Sequence, residues 1–388
     1  MKKRDTLMVV AIIFAAANLR APITAVGPLI ASMKESYPMQ NGIFGLITTI
    51  PLIMFALFAP VASALSHRLG IGRTMMLSLV IAGQGIILRS YAGIEGLFIG
   101  TVFLGCGIAF GNVLIPGIIK ARFPERVETL TSVFTISMSV FAATASAVSY
   151  PLSQVDGAGW KNSLAFWMLP LIFAFAAWWP QRKLTICGAG ASSAAEQKKK
   201  VCRSPLAWWM TVLMGAQSCL FYFFTAWLPT ILQAKGMEPT AAGYVTFSFQ
   251  VMTIPASLIV PAVVVRLNNQ KGLTTIIAAV YAVSVGLLIF AKTQAMLTIL
   301  SMICGLCTGS CFSLCMLLLG LRTKTAERAT SLSGMVQSGG YAMGALGPIL
   351  AGWLRDFSGG WNAALAGAVL VTVLIFVAGR KAGENRYV

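Results

Sequence analysis

The sequence predicts an all-α, polytopic membrane protein: twelve transmembrane helices in two six-helix pseudo-repeats. Three observations carry that prediction. Hydrophobic residues make up 57% of the 388 and charged residues only 10%, far from the balance of a water-soluble domain. Apolar stretches of about 20 residues, the length needed to cross a bilayer, follow one another with short polar breaks. Basic residues crowd into alternate breaks, as a chain threading back and forth across a membrane requires.

Windows between turn and charge clusters place the spans near residues 6–33, 41–66, 73–90, 95–119, 128–151, 161–180, 205–233, 239–265, 272–291, 294–321, 329–354 and 361–379. Span one follows Lys2, Lys3 and Arg4 and contains Pro22 and Gly27-Pro28. Its opening, basic then apolar with Ala15 and Ala17, also fits a secretory signal peptide. The apolar stretch continues past Asn18 and Arg20 to Ile30 and eleven more spans follow, which favours a retained first span. Spans two to six end at charge or turn clusters marked by Arg68, Arg89, Lys120, Pro151 and Arg182. The polar stretch CGAGASSAAEQKKK then divides the chain into a bundle at 1–180, a linker at 181–204 and a second bundle at 205–388. Spans seven to twelve close at Lys235, Arg266, Lys292, Arg322, Arg355 and Arg380.

With the amino terminus in the cytoplasm, 22 of the 29 basic residues fall in inner segments, so both termini are expected there. The expected location is the bacterial inner (plasma) membrane, crossed many times. A net charge of +18 spread over seven short segments without interleaved aromatics suits an anionic inner leaflet and no nucleic acid. The expected partners are a small solute and membrane lipids, and the chain is expected to be a monomer.

Cys304, Cys307, Cys311 and Cys315 stand at metal-like intervals in span ten, among eight cysteines in all. On one helix the first and last are about 16 Å apart along the axis. Tetrahedral zinc needs four sulfurs about 2.3 Å from one centre, so the four read instead as small residues for close helix packing. No metal and no cofactor is expected. Cys187 and Cys202 fall in the linker, on the side where thiols stay reduced.

The two halves repeat. At an offset of 202, Lys120 aligns with Arg322, Arg122 with Lys324, Glu125 with Glu327, Arg126 with Arg328 and Leu130 with Leu332. At 201, Gly159-Trp160 aligns with Gly360-Trp361. Parallel six-span repeats of this kind resemble the major facilitator superfamily, whose architecture implies a solute site near the membrane midplane. After span two, the run from Leu65 through His67, Arg68 and Gly70 to Arg73 resembles the inner signature loop of that superfamily, tied to its conformational change. This chain has His67 where the usual pattern has an aspartate. Asn18-Leu-Arg20 with Pro22, Thr24 and Gly27-Pro28, Gly111-Asn112 with Pro116, Trp227-Leu-Pro229, and Gly334-Met-Val-Gln337 resemble the cyanate and 2-nitroimidazole transporters within the superfamily. The resemblance covers essentially the whole chain and implies a secondary transporter.

Arg20 lies near the middle of span one, and none of the eleven acidic residues falls at membrane depth. An arginine there costs about 2.5–3.5 kcal/mol on insertion scales, so it must meet water, polar groups or ligand. Two readings stand. Pro22 has no N–H and frees the carbonyl of Asn18, which the guanidinium can bind structurally. Alternatively its five donors hold a small anion or a nitro or carbonyl oxygen. The resemblance places Asn18, Thr24, Asn112, Gln217, Tyr222, Gln250, Gln337 and Tyr341 on helices that line the solute path, although each amide also suits helix-to-helix bonding. Phe221, Tyr222, Phe223, Phe224 and Trp227 suit stacking on a flat heteroaromatic, or plain packing. Arg89, at the end of span three, is expected to snorkel to the outer surface.

An enzyme would need acid, base or metal groups gathered at one site, and a chain with one histidine and no mid-membrane carboxylate offers none. A channel is disfavoured by the repeated halves and the proline-interrupted helices, which suit alternating access. A proton-coupled drug or metabolite exporter remains the nearest alternative within carriers.

Overall fold

The structure, a computed structural model, describes residues 3–155, 159–182, 184, 201–264, 266–267, 269–323 and 326–388. The predicted linker at 181–204 falls largely outside the described residues. Among those described, eleven helices are long and apolar enough to cross a membrane. The twelfth, span eleven, runs as Ala326–Gly344 and Leu346–Ser358 and falls short in hydropathy, not in length. Its first half carries Ser331, Ser333, Gln337 and Ser338 with Gly334, Gly339 and Gly340, which lowers its hydropathy below that of its neighbours.

Proline and glycine set the irregularities of span one. The helix Lys3–Thr24 ends two residues after Pro22, a 3-10 turn covers Gly27–Leu29, and Ile30–Ser36 completes the span. Pro28 has no N–H to continue the α-helix and fits the first turn of a new one. Pro116 and Pro229 are tolerated inside the helices Gly93–Arg122 (span four) and Pro205–Ala234 (span seven).

The chain divides into two compact units. The first comprises Met1–Met39, Ile50–Gly188 and Glu238–Phe247. Its tightest seam joins span three, Ile71–Tyr91, to span four, where glycine lets the backbones meet. A Cβ at Gly85 or Gly100 would lie 2.6 Å from the other's carbonyl oxygen, and one at Gly107 would lie 2.7 Å from Ala82. Ser78 closes the seam by donating to the Gly107 carbonyl at 2.7 Å. This is small-residue packing, the expected substitute for a hydrophobic drive between helices in lipid. Span one is held on its other sides by Trp178, whose indole donates to Ala11 O at 3.0 Å, and by Thr24, which donates to Ala142 O of span five, Val127–Gln154, at 2.9 Å.

The second unit comprises Gln40–Thr49, Ala189–Met237 and Ser248–Val388. Span seven is its pillar, with 89% of its apolar window buried. Gly340, Gly344 and Gly347 of span eleven sit against Met214, Ser218 and Cys219 of span seven, and Trp227 donates to Pro348 O at 2.8 Å. Gly305 and Gly309 of span ten, Gln294–Leu321, meet the backbones of Phe249 and Thr253 in span eight. The first turns of span two, Asn41–Leu69, belong to this unit. There Asp356 accepts from the Asn41 amide and, at 2.9 Å, from the Gly42 N–H, while Thr49 donates to Ala345 O at 2.8 Å. A carboxylate on the orphan N–H groups of a helix start is a cap in the ordinary sense.

The other end of the second unit carries a buried arginine. Arg322 donates to Gln270, to Ala382 O at 3.3 Å, to Gly383 O at 3.0 Å and to Asn385 at 3.1 Å. Val388 N–H donates to Arg322 O at 2.9 Å, and Arg328 donates to a backbone oxygen of Val388 at 3.2 Å.

Candidate functional site

In the first unit the polar side chains gather where span one crosses span four. A Cβ at Gly111 would lie 2.6 Å from Leu19 Cδ2, so the two helices touch at that level. Arg20 and Asn112 follow Leu19 and Gly111 by one residue each and therefore stand at one depth. Both are partly exposed, whereas Leu19 and Gly111 are buried. The Asn112 amide makes no hydrogen bond among the described residues, and Pro116 leaves its backbone carbonyl without the usual N–H. A cation, an amide with donor and acceptor capacity, and a carbonyl freed by Pro116 thus share one level of the bundle.

Asn18 and Thr24 are buried and turned to the protein. Asn18 donates to Phe14 O at 2.7 Å, and its side-chain oxygen has no partner among the described residues. Thr24 spends its hydroxyl on Ala142 O.

In the second unit the polar residues divide the same way. Gln217 is buried and donates to Ser218 Oγ at 3.0 Å. Gln250 is 1% exposed, and its amide nitrogen finds no acceptor among the described residues. Tyr222 is buried beside Phe221, which stacks on Phe249 with centroids 6.4 Å apart. Gln337 and Tyr341 are partly exposed, and Gln337 donates to Ser333 Oγ at 2.7 Å. The aromatic run continues as packed core, with Phe224 against Phe249 and Tyr281 and with Trp227 on Trp361. Cys304, Cys307, Cys311 and Cys315 are buried on the span-ten helix, beside Gly305 and Gly309.

At the signature loop, Gly70 has φ 84°, a conformation glycine adopts freely, and it starts the span-three helix at Ile71. Arg68 and Arg73 are exposed, and Gly72, the residue before Arg73, donates its N–H to Leu184 O at 3.0 Å. The His67 side chain lies outside the described residues.

One expectation is overturned. Arg89 does not snorkel: it is 1% exposed and donates through Nη1 to Pro22 O at 2.8 Å. The cause is the glycine seam. A Cβ at Gly100 would meet the Arg89 backbone and lie 2.8 Å from its Cβ, so span four covers the lane to the surface and the side chain turns toward span one. The sequence held a signal for this. A break at Pro22 to Pro28 must leave carbonyls without helical partners, and buried carbonyls need a donor.

Membrane-spanning helices in two units, small-residue seams and proline in the helices that carry Arg20, Asn112 and Gln217 suit a secondary transporter. The family model described as Major Facilitator Superfamily matches residues 8–344 and 236–383. The chain is 38% identical over 381 residues to an uncharacterized transporter of Bacillus subtilis (strain 168), covering 98% of this chain and 94% of the relative. It is 33% identical over 384 residues to the 2-nitroimidazole transporter of Escherichia coli (strain K12), covering 99% and 97%. It is 25% identical over 356 residues to the cyanate transport protein of the same organism, covering 91% of each. Among solved structures, a bacterial homologue of the human lysosomal transporter Spinster superposes with a TM-score of 0.78 at 14% identity, covering 100% and 99% of the two chains. The chain belongs to the major facilitator superfamily, and within it to the group of the cyanate and 2-nitroimidazole transporters.

Proposed function

We propose that this protein carries a small anion, or a flat heterocycle bearing a nitro or carbonyl oxygen, across the bacterial inner membrane, with both termini in the cytoplasm and as a monomer. The activity is transport and not catalysis. The observation that supports the solute class is Arg20, a partly exposed arginine at the level of Asn112 inside an apolar bundle. A planar fork of N–H donors matches two oxygens of one ligand, and the amide adds a second point of orientation. In the second unit the partly exposed Gln337 and Tyr341 are the corresponding candidates. The named substrates of the relatives, 2-nitroimidazole and cyanate, belong to these two chemical classes and are the natural probes.

The test is uptake of labelled cyanate and 2-nitroimidazole into proteoliposomes, with binding followed by thermal shift. Saturable uptake and solute-induced stabilisation are expected from the wild type. Arg20→Ala should weaken binding at least about tenfold, since a hydrogen bond to a charged group contributes about 1.5–3 kcal/mol. Arg20→Lys should recover little of it, because a point charge does not reproduce the fork. Normal transport by the Ala variant would remove Arg20 from the solute path.

A further inference from the structure

Arg89 has no role in that reading, yet it is a buried cation inside the bundle. Its single hydrogen bond among the described residues goes to Pro22 O, and Nε and Nη2 have none. Pro22 O is a particular acceptor. In an unbroken helix it would receive the N–H of Val26, but that N–H turns back to Ile23 O at 3.3 Å, and the Leu29 N–H takes Val26 O as the 3-10 turn forms. The break in span one therefore strands the Pro22 carbonyl at membrane depth, where no water replaces the lost donor. Arg89 is the donor that replaces it.

The break is thus pinned from two sides, by Arg89 of span three at Pro22 and by the backbone of span five, which receives Thr24 at Ala142 O. Pro22 lies two residues from Arg20, and Thr24 lies one turn from it, with its hydroxyl 3.4 Å from Arg20 O. The height and direction of the Arg20 side chain depend on where the end of this helix is held.

We infer that Arg89 is a positioning residue: by capping the stranded carbonyl of Pro22 it fixes the break in span one and so aims Arg20, without meeting the solute. The part concerning Arg20 rests on the solute reading above; the part concerning the break does not. Only one of the Arg89 donor nitrogens is used, so a lysine, which offers one cationic donor group on a long stem, should replace it. Arg20 should behave in the opposite way.

The experiment measures two quantities on the protein in nanodiscs or proteoliposomes, for Arg89→Met, Arg89→Gln and Arg89→Lys. The first is amide hydrogen exchange of residues 23–30 with no solute present. Exchange should quicken about tenfold or more in the Met variant, stay close to wild type in the Lys variant and leave the other spans unchanged, as local opening of one segment does. The second is uptake of cyanate and 2-nitroimidazole. The half-saturation concentration should rise about three- to tenfold in the Met variant with the maximal rate within about twofold, the pattern of lost ground-state binding, and should return in the Lys variant.

Unchanged exchange in the Met variant would overturn the inference. Faster exchange with unchanged half-saturation would overturn its link to Arg20. A Lys variant that holds the break yet binds solute as poorly as Met would mean that Arg89 meets the solute itself. If the Met variant does not fold, Gln and Lys carry the same comparison, and failure of all three to fold would make Arg89 a general stability residue and overturn the inference. If the wild type moves neither probe, the solute reading fails while the exchange data still decide the role of Arg89 at the break.

Discussion

At the scale of single residues, exposure sorts the polar groups of the spans into two kinds. Thr24, Gln217 and Asn18 are buried and spend side-chain donors on neighbouring protein atoms; Arg20, Asn112, Gln337 and Tyr341 keep part of their surface exposed, Gln337 while donating to Ser333 Oγ. The consequence is a difference in kind between substitutions. On the solute path proposed above, removing a partly exposed amide should cost one bond to the solute, about 0.5–1.5 kcal/mol or several-fold in affinity. Asn112→Ala and Gln337→Ala should therefore raise the half-saturation concentration several-fold while expression and thermal stability stay near wild type. Kinetics unchanged in both variants would return the two amides to helix packing. The sequence could list these residues but not sort them. Periodicity cannot tell Thr24 from Arg20, one turn apart on the same face, because the difference lies in Ala142, more than a hundred residues away.

At the scale of helices, what the sequence makes legible is whatever depends on composition over about 20 residues, and what it hides is set by contacts across spans. Eleven of the predicted spans satisfy length and hydropathy among the described residues, spans one, six and eight through breaks in their helices; span eleven, in two pieces on either side of Ala345, falls short because its first piece is rich in serine and glycine. The burial of Arg89 is hidden from the sequence for a related reason. Its position near a helix end suggests an escape to the surface, and the glycine that closes that route is Gly100, on the next helix. Glycine seams also give a graded test. A Cβ at Gly305 would collide with the backbone of Phe249, which cannot swing aside, whereas one at Gly320, on the same helix, has nothing within 4 Å. Gly305→Ala should lower stability by about 1–3 kcal/mol, the cost of overpacking. Gly320→Ala should be neutral or slightly stabilising by helix propensity. Equal melting temperatures for the two variants would show that the span-eight to span-ten seam is looser than drawn.

At the scale of the molecule, the placement of acidic residues bears on energy coupling. Asp5, Glu35, Glu95, Glu327 and Asp356 all lie in the first or last turn of their helices, and Glu125, Glu238 and Glu384 lie outside the α-helices. Carriers that exchange a proton with solute commonly use an intramembrane Asp, Glu or His. Arginine does not serve, being protonated at any physiological pH. Movement is therefore expected to be facilitated or exchange-driven. In proteoliposomes loaded with a pH dye, addition of 2-nitroimidazole or cyanate should produce no proton flux in fixed ratio to the solute. A fixed ratio that survives changes of buffer and is lost in a membrane variant that still binds would establish proton coupling by a tyrosine, a water chain or the solute.

The Arg322 cluster has a practical meaning for anyone handling this protein. Gly383, Asn385 and Val388 are stitched to Arg322 and Arg328, so this stretch of chain is part of the second unit's fabric and not a loose thread. A fluorescent reporter or affinity handle joined directly to Val388 would pull on those stitches. The same handle set behind a flexible Gly/Ser spacer, or placed ahead of Lys3, would leave Arg322 its partners.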